Sequence, residues 1–112
     1  MTKRTTTIYP QSARELASLG ERIKDARLRR RFSMDTVSVR ADISRPTLYK
    51  VERGDPTVAM GIYVQVLRVL GLLEDLGLIA KEDVLGRRLQ DEAMPHRKRA
   101  PKKIPSPGGM NG

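Results

Sequence analysis

Hydrophobic residues recur three or four positions apart along much of the 112-residue chain, which is the spacing of an amphipathic helix. The first series predicts a helix over about 12–30, and Ser12 and Glu15 fit a capping box that would begin it. Gly20 lies inside this helix and lowers its helical propensity there. The series consists of Leu16, Leu19, Ile23 and Ala26.

A second, shorter series predicts a helix over residues 34–41. Ser33 can cap its N-terminus, and Val37 and Ala41, four residues apart, face inward. Asp42 follows where the chain must turn, and Asp adopts the left-handed conformation more readily than most residues.

A third series begins directly after this turn. Ser44 can cap a helix in which Leu48 and Val51 form the buried side. Gly54 suits a left-handed C-terminus and would end the helix. Residues 34–53 therefore predict two short helices joined by a tight turn.

The most apolar segment, about Met60 to Leu70, predicts a fourth helix, although its β-branched residues also suit a strand. The helices expected on both sides favour a helix. A helix that is apolar around nearly its whole circumference must be covered on all sides. Because the core of so short a chain covers one side, we expect the other to contact a second subunit. The residues expected at this dimer interface are Val64, Leu67, Leu70 and Leu73.

The remaining segments complete an all-α prediction, a compact five-helix bundle with a C-terminal helical extension and a disordered basic tail. A short fifth helix is expected over 72–79 and a sixth over 81–93. Polar composition without periodicity predicts disorder at both ends of the chain. The expected divisions are an arm over 1–11, a bundle and dimerisation domain over 12–80, an extension over 81–94 and a tail over 95–112.

Positive charge is concentrated in two parts of the sequence. The chain has 22 Lys and Arg against 13 Asp and Glu, a net charge of +9. Residues 12–58 carry +4 and residues 95–112 carry +5, whereas residues 59–94 carry −2. This distribution favours an anionic partner such as nucleic acid.

Several classes of protein are disfavoured by what the sequence lacks. It has no Cys, which removes disulfides and thiolate metal sites. Its one His, His96, has no carboxylate or Cys partner nearby, and no phosphate-binding Gly loop is present, so we expect no enzyme, no metal and no cofactor. Without a secretory signal or an apolar stretch long enough for a bilayer, we expect a cytoplasmic, nucleoid-associated protein that does not contact membranes.

The spacing from Met34 to Arg53 is that of a helix-turn-helix. With the preceding helix and the following ERGDPTV, this segment resembles the DNA-binding domains of the XRE family, the Cro and phage-repressor class, over about residues 17–75. The resemblance implies a five-helix bundle that inserts the second helix of the motif into the major groove, N-terminus first. Met34 stands where the family usually has a Gln that contacts a phosphate. The positions that meet the packing requirements are Val37, Ser38, Ala41, Ile43, Leu48 and Val51.

The same resemblance assigns candidate DNA contacts by matching positions. Arg45 can present its guanidinium to guanine O6 and N7, and Pro46 can offer apolar surface to a thymine methyl group. The run Arg29–Arg31 either contacts phosphates or is simply the solvated end of the first helix. The candidate base contacts are Arg45, Pro46, Tyr49 and Lys50. The candidate phosphate contacts are Ser44, Arg29, Arg30, Arg31 and Arg40.

A wider resemblance covers about residues 17–99. RPTLYKVERGDPTVAMG, VLGLLEDLGLIA, an LGRRLQ helix and a basic tail are similar to the HipB-like antitoxins of HipA-like Ser/Thr kinase toxins. This implies a homodimer that binds a palindromic operator, represses its own operon and holds the kinase inactive in a type II toxin-antitoxin system. A solitary XRE-family regulator is the alternative, because such regulators share most of these features. A general RNA-binding protein is less favoured, because only 4% of the residues are aromatic.

Overall fold

The computed structural model describes residues 7–94, which form two compact units that divide after Leu78. All helices predicted in this range are present, residues 7–94 contain no strand, and the all-α fold is confirmed. The predicted arm up to residue 6 and the predicted basic tail lie outside the described residues. The elements are α1 (Pro10–Arg29), α2 (Met34–Ala41), α3 (Arg45–Glu52), α4 (Met60–Val69), a 3₁₀ helix (Leu73–Leu78) and α5 (Val84–Ala93).

Helix α1 begins two residues earlier than predicted, and the expected capping box is wrong. Its N-cap is Tyr9, which makes no side-chain capping bond, and Pro10 occupies the first turn. Proline suits this position because its φ is already helical and it has no N–H to leave unpaired. Ser12 therefore lies inside the first turn, not in front of it.

Helices α1 to α4 all end in the same Schellman motif, in which one left-handed residue reverses the chain. At the end of α1 this residue is Arg31, with a φ of 56°. The N–H of Phe32 donates to the carbonyl of Arg27 at 3.1 Å, and that of Arg31 to Leu28 at 2.9 Å. The two corresponding backbone hydrogen bonds are also present at the ends of α2, α3 and α4. The left-handed residues there are Asp42, Gly54 and Gly71. The predicted left-handed conformations of Asp42 and Gly54 are confirmed.

The core of the first unit lies where α1 meets α3 and α2 meets α4. Val37, Leu48 and Val51, which the sequence predicted to be buried, have no exposed surface, and Ala41 is 1% exposed. Phe32 packs against this core while remaining partly exposed. The largest fully buried side chains are Ile23, Leu48, Val37, Val51 and Val66.

Gly20 marks the closest approach of α1 to the C-terminus of α3. Helix α1 runs through this residue without a break. A Cβ atom added at Gly20 would lie 2.5 Å from the backbone nitrogen of Gly54 and 2.7 Å from the carbonyl oxygen of Val51. Only glycine allows the two backbones to lie this close. The residue that weakened the helix prediction is therefore the one that lets α3 pack on α1.

Helix α4 requires a correction to the predicted dimer interface. Leu67 and Leu70 are only 8% and 2% exposed, because they pack into the core of their own chain. The apolar circumference of α4 is thus covered more completely by its own unit than the sequence suggested. Val64 remains half-buried and Leu73 is exposed, so these two side chains of the predicted set keep accessible area.

The fifth predicted helix is present in 3₁₀ form, over Leu73–Leu78. In the second unit, the sixth predicted helix is confirmed as α5 (Val84–Ala93). Asp83 begins α5 by accepting a hydrogen bond at 3.0 Å from the backbone N–H of Gly86. The large apolar side chains of α5 are all exposed, namely Val84, Leu85 and Leu89.

Candidate nucleic-acid interface

Helix α3 is fixed to the bundle on one side and open on the other. The Ser44 hydroxyl accepts a bond from the Thr47 N–H at 3.2 Å, which confirms the predicted cap. The Thr47 and Ser44 hydroxyls lie 2.9 Å apart, so Thr47 supports the first turn. Leu48 and Val51 are completely buried and anchor the helix.

The exposed side of α3 carries the residues that the sequence selected as base contacts. Their spacing of one and four positions places them on one face at the leading end of the helix. All four are exposed to solvent: Arg45, Pro46, Tyr49 and Lys50. This face offers a guanidinium, an ammonium, a phenol and a small apolar ring, a set able to donate hydrogen bonds and to contact methyl groups.

Arg45 forms an ion pair with the neighbouring helix. Its Nη1 atom lies 3.3 Å from Oδ1 of Asp35, which belongs to the first turn of α2. Hydrogen bonding by the Tyr49 side chain and the negative charge of Asp35 raise the pKa of Arg45 above its ordinary value. The ion pair joins the first turns of the two helices of the motif. The sequence-based prediction did not include Asp35 in this site.

All of the candidate phosphate contacts are exposed. Arg30 Nη1 donates to the Ala26 carbonyl at 2.9 Å. The Arg40 guanidinium lies 5.2 Å from the centre of the Phe32 ring, a cation–π distance. These two side chains therefore make contacts within the fold in addition to carrying exposed charge. That they contact DNA phosphates stays a prediction.

A buried ion pair links α1 to the C-terminal end of α3. Arg27 Nε lies 2.6 Å from Glu52 Oε2, and both side chains are 10% exposed or less. The sequence-based prediction missed this pair, although its signal was present. Arg27 lies four residues after Ile23 and Glu52 four after Leu48, so each charge falls on a buried helical face. Opposite charges on two such faces indicate a partner.

Within residues 7–94, no group of three or more His, Asp or Glu residues could hold a metal ion. Across the same range no helix has the length and apolar character needed to cross a bilayer. Met34, where a glutamine amide was expected by family resemblance, is half-buried against the core.

A family model described as a helix-turn-helix domain matches residues 18–76, from within α1 to within the 3₁₀ helix. This stretch includes the whole motif of α2 and α3. No curated protein matches the sequence.

Proposed function

This chain belongs to the helix-turn-helix domain family, and from that premise we propose that it is a sequence-specific, dimeric DNA-binding repressor without enzymatic activity. The observation that carries the proposal is the leading face of α3. Leu48 and Val51 fix the helix from below, while Arg45 and Lys50 remain exposed above. Helices of this motif enter the major groove with that end first.

Each exposed residue of α3 then has a chemical role in reading DNA. The Arg45 guanidinium forms two hydrogen bonds with guanine O6 and N7, a contact that discriminates between bases by about 1–3 kcal/mol. Pro46 packs on a thymine methyl group. Tyr49 and Lys50 reach base edges or the backbone. Phosphate contacts from Ser44, Arg40 and the run Arg29–Arg31 position the protein without selecting a sequence.

The direct test of this proposal uses a pool of duplexes with a randomised core. We expect the wild-type protein to select a palindrome whose half-sites lie about 34 Å apart. Arg45→Ala should lose discrimination at one base pair of each half-site, and Arg14→Ala, at an exposed arginine in the first turns of α1, is the matched control. Equal losses on selected and scrambled duplexes for Arg45→Ala would exclude α3 as the reading helix.

The proposed dimer contact has to differ from the one that the sequence suggested. Leu67 and Leu70 are buried in their own chain, so we place the contact on Val64 and Leu73, which keep accessible apolar area. Leu73→Lys should shift the protein to a monomer in analytical ultracentrifugation and weaken binding to the palindrome. Leu28→Lys, at a similarly exposed leucine of α1, should leave the dimer intact.

We further propose that the protein is a HipB-like antitoxin that binds a HipA-like kinase and represses the operon encoding both. The support is the resemblance over residues 17–99 and helix α5, whose apolar side chains are uncovered. Exposed apolar clusters commonly mark protein-binding surfaces. Helix α5 also lies beyond the segment that matches the family model.

Co-expression with the product of the adjacent reading frame, which we expect to be a kinase, tests the antitoxin role. We expect the kinase to co-purify and the growth of the host to be restored. Leu89→Glu should weaken both effects, whereas Gln90→Glu, which adds the same charge at the next exposed position, should not. If wild-type protein neither retains the kinase nor restores growth, the protein is a solitary regulator of the same family.

A further inference from the structure

We infer that Asp35 is a specificity-determining positioning residue, which holds Arg45 ready for its base contact and whose charge weakens binding to DNA of any sequence. The inference rests on the proposed DNA-binding function. Its structural basis is the 3.3 Å approach of Asp35 Oδ1 to Arg45 Nη1, from the first turn of α2 to the first turn of α3.

Stability alone gives no reason for this ion pair. The Asp35 side chain is 71% exposed and that of Arg45 is 52% exposed, and ion pairs at such positions contribute little to folding. The N-terminus of α2 is already capped by Ser33, whose hydroxyl accepts a bond from the Thr36 N–H at 3.0 Å. A carboxylate in the first turn of α2 also suits the helix dipole, but this does not account for its pairing with the leading arginine of α3.

The pair restricts a side chain that would otherwise be flexible. An exposed arginine samples many rotamers, and ordering it on binding lowers the affinity gained from its contacts. Here Asp35 engages the guanidinium of Arg45 in an ion pair. A guanidinium has five N–H donors in a planar fork. One contact from Asp35 therefore leaves donors available for the two acceptors of a guanine.

The charge of Asp35 acts in a second way. A carboxylate next to the leading end of α3 lies close to the phosphates of any bound duplex and repels them whatever the sequence. On a matching site Arg45 contacts its base, and Asp35 stabilises that geometry. On other sites the arginine makes no base contact, so its positioning by Asp35 adds no affinity there. Specificity is a difference between two affinities. The positioning of Arg45 increases this difference, whereas the repulsion weakens binding to every duplex equally and leaves the ratio unchanged.

The test measures dissociation constants for two probes, the duplex selected by the wild-type protein from the randomised pool and a scrambled duplex of equal length. Asp35→Asn keeps the size of the side chain and removes its charge. We expect it to bind scrambled DNA about 2–5-fold more tightly and to lower the ratio of selected to scrambled affinity about 3–10-fold. Asp35→Ser, which removes the charge with a different side chain, should behave alike. Thermal unfolding confirms that each variant is folded.

A double-mutant cycle separates the two effects. In an Arg45→Ala background, Asp35→Asn should still tighten binding to both duplexes but should no longer change their ratio, since the side chain it positions is absent. Asp75→Asn removes one exposed carboxylate from the 3₁₀ helix and controls for net charge. It should leave the ratio unchanged.

Two failures can be told apart. If the wild-type protein selects no sequence from the pool, the proposed function is wrong. If it selects a sequence, but Asp35→Asn lowers the ratio equally with and without Arg45, or not at all, then DNA recognition stands and the role assigned to Asp35 is wrong.

Discussion

Arg27 of α1 and Glu52 of α3 form a two-point ion pair inside the bundle, with Nε–Oε2 and Nη2–Oε1 distances of 2.6 and 3.2 Å. Arg27 Nη1 also donates to the carbonyl of Phe32 at 3.0 Å. One guanidinium therefore connects α1, the segment leading into α2 and the last residue of α3. This connection fixes the orientation in which α3 presents its exposed face.

Removing one member of this pair should strongly destabilise the fold. Glu52→Gln leaves Arg27 charged and nearly buried without its counter-ion, a change that costs about 3–5 kcal/mol. The free energy of unfolding in urea measures the loss. The double variant Arg27→Met/Glu52→Leu replaces the pair by apolar side chains and should recover most of it, because such replacements are often neutral. If the double variant is as unstable as Glu52→Gln, the loss comes from packing and not from an unpaired charge.

Two glycine-to-alanine substitutions in helices should have opposite effects. Gly20→Ala places a methyl group against the backbone of Val51 and Gly54, and overpacking of this kind costs about 1–3 kcal/mol, more than alanine gains in helical propensity. Gly61→Ala, in α4, meets no atom within 4 Å. It should stabilise the protein by about 0.5–1 kcal/mol. Urea denaturation of both variants checks the contrast, and a stabilised Gly20→Ala would contradict the close approach of α1 and α3.

Much of the fold follows from local sequence rules. Helical periodicity located α1 to α4, the hydroxyls of Ser33 and Ser44 marked two N-termini, and Asp42 and Gly54 marked two C-termini. These features depend on residues within one helical turn of each other. The exposure of the candidate base contacts followed from the buried positions of Leu48 and Val51 on the same helix.

The features that were missed depend on which elements meet in space. Arg31 is left-handed because the chain must reverse there to bring Phe32 against the core, and an arginine gives no local signal for that conformation. Leu67 and Leu70 could be assigned to a partner or to their own core only after the packing of α4 on α2 was known. The contact of Asp35 with Arg45 likewise depends on the geometry of the turn between two helices.

Tyr63 should make the free energy of unfolding depend on pH in the alkaline range. Its hydroxyl donates to the carbonyl of Asp55 at 2.9 Å, and burial together with the charge of Asp55 raises its pKa to about 12. The ordinary value is about 10. A raised pKa in the folded state adds stability that is complete below pH 10 and is lost as the pH rises toward 12.

Comparing the wild-type protein with Tyr63→Phe isolates the contribution of the Tyr63 hydroxyl to this pH dependence. The difference between their free energies of unfolding should be constant from pH 7 to 9. By pH 11.5 the wild type should have lost about 2 kcal/mol of stability relative to Tyr63→Phe. Urea denaturation at each pH measures it. Parallel stability curves for the two proteins would show that the Tyr63 hydroxyl titrates equally in the folded and unfolded states.

The left-handed Arg31 should contribute to DNA binding at the expense of stability. Arg31→Gly removes the strain of a side chain at a φ of 56° and should stabilise the fold by about 0.5–1 kcal/mol. It also removes an exposed charge from the candidate phosphate contacts, so binding to selected and scrambled duplexes should weaken equally and the salt dependence should fall by about one counterion. Asp42→Gly is the matched control, because it relieves a φ of 58° in the same motif without removing a cation. It should stabilise the fold without weakening DNA binding. Unchanged affinity and salt dependence for Arg31→Gly would exclude Arg31 as a phosphate contact and leave its strain without a functional reason.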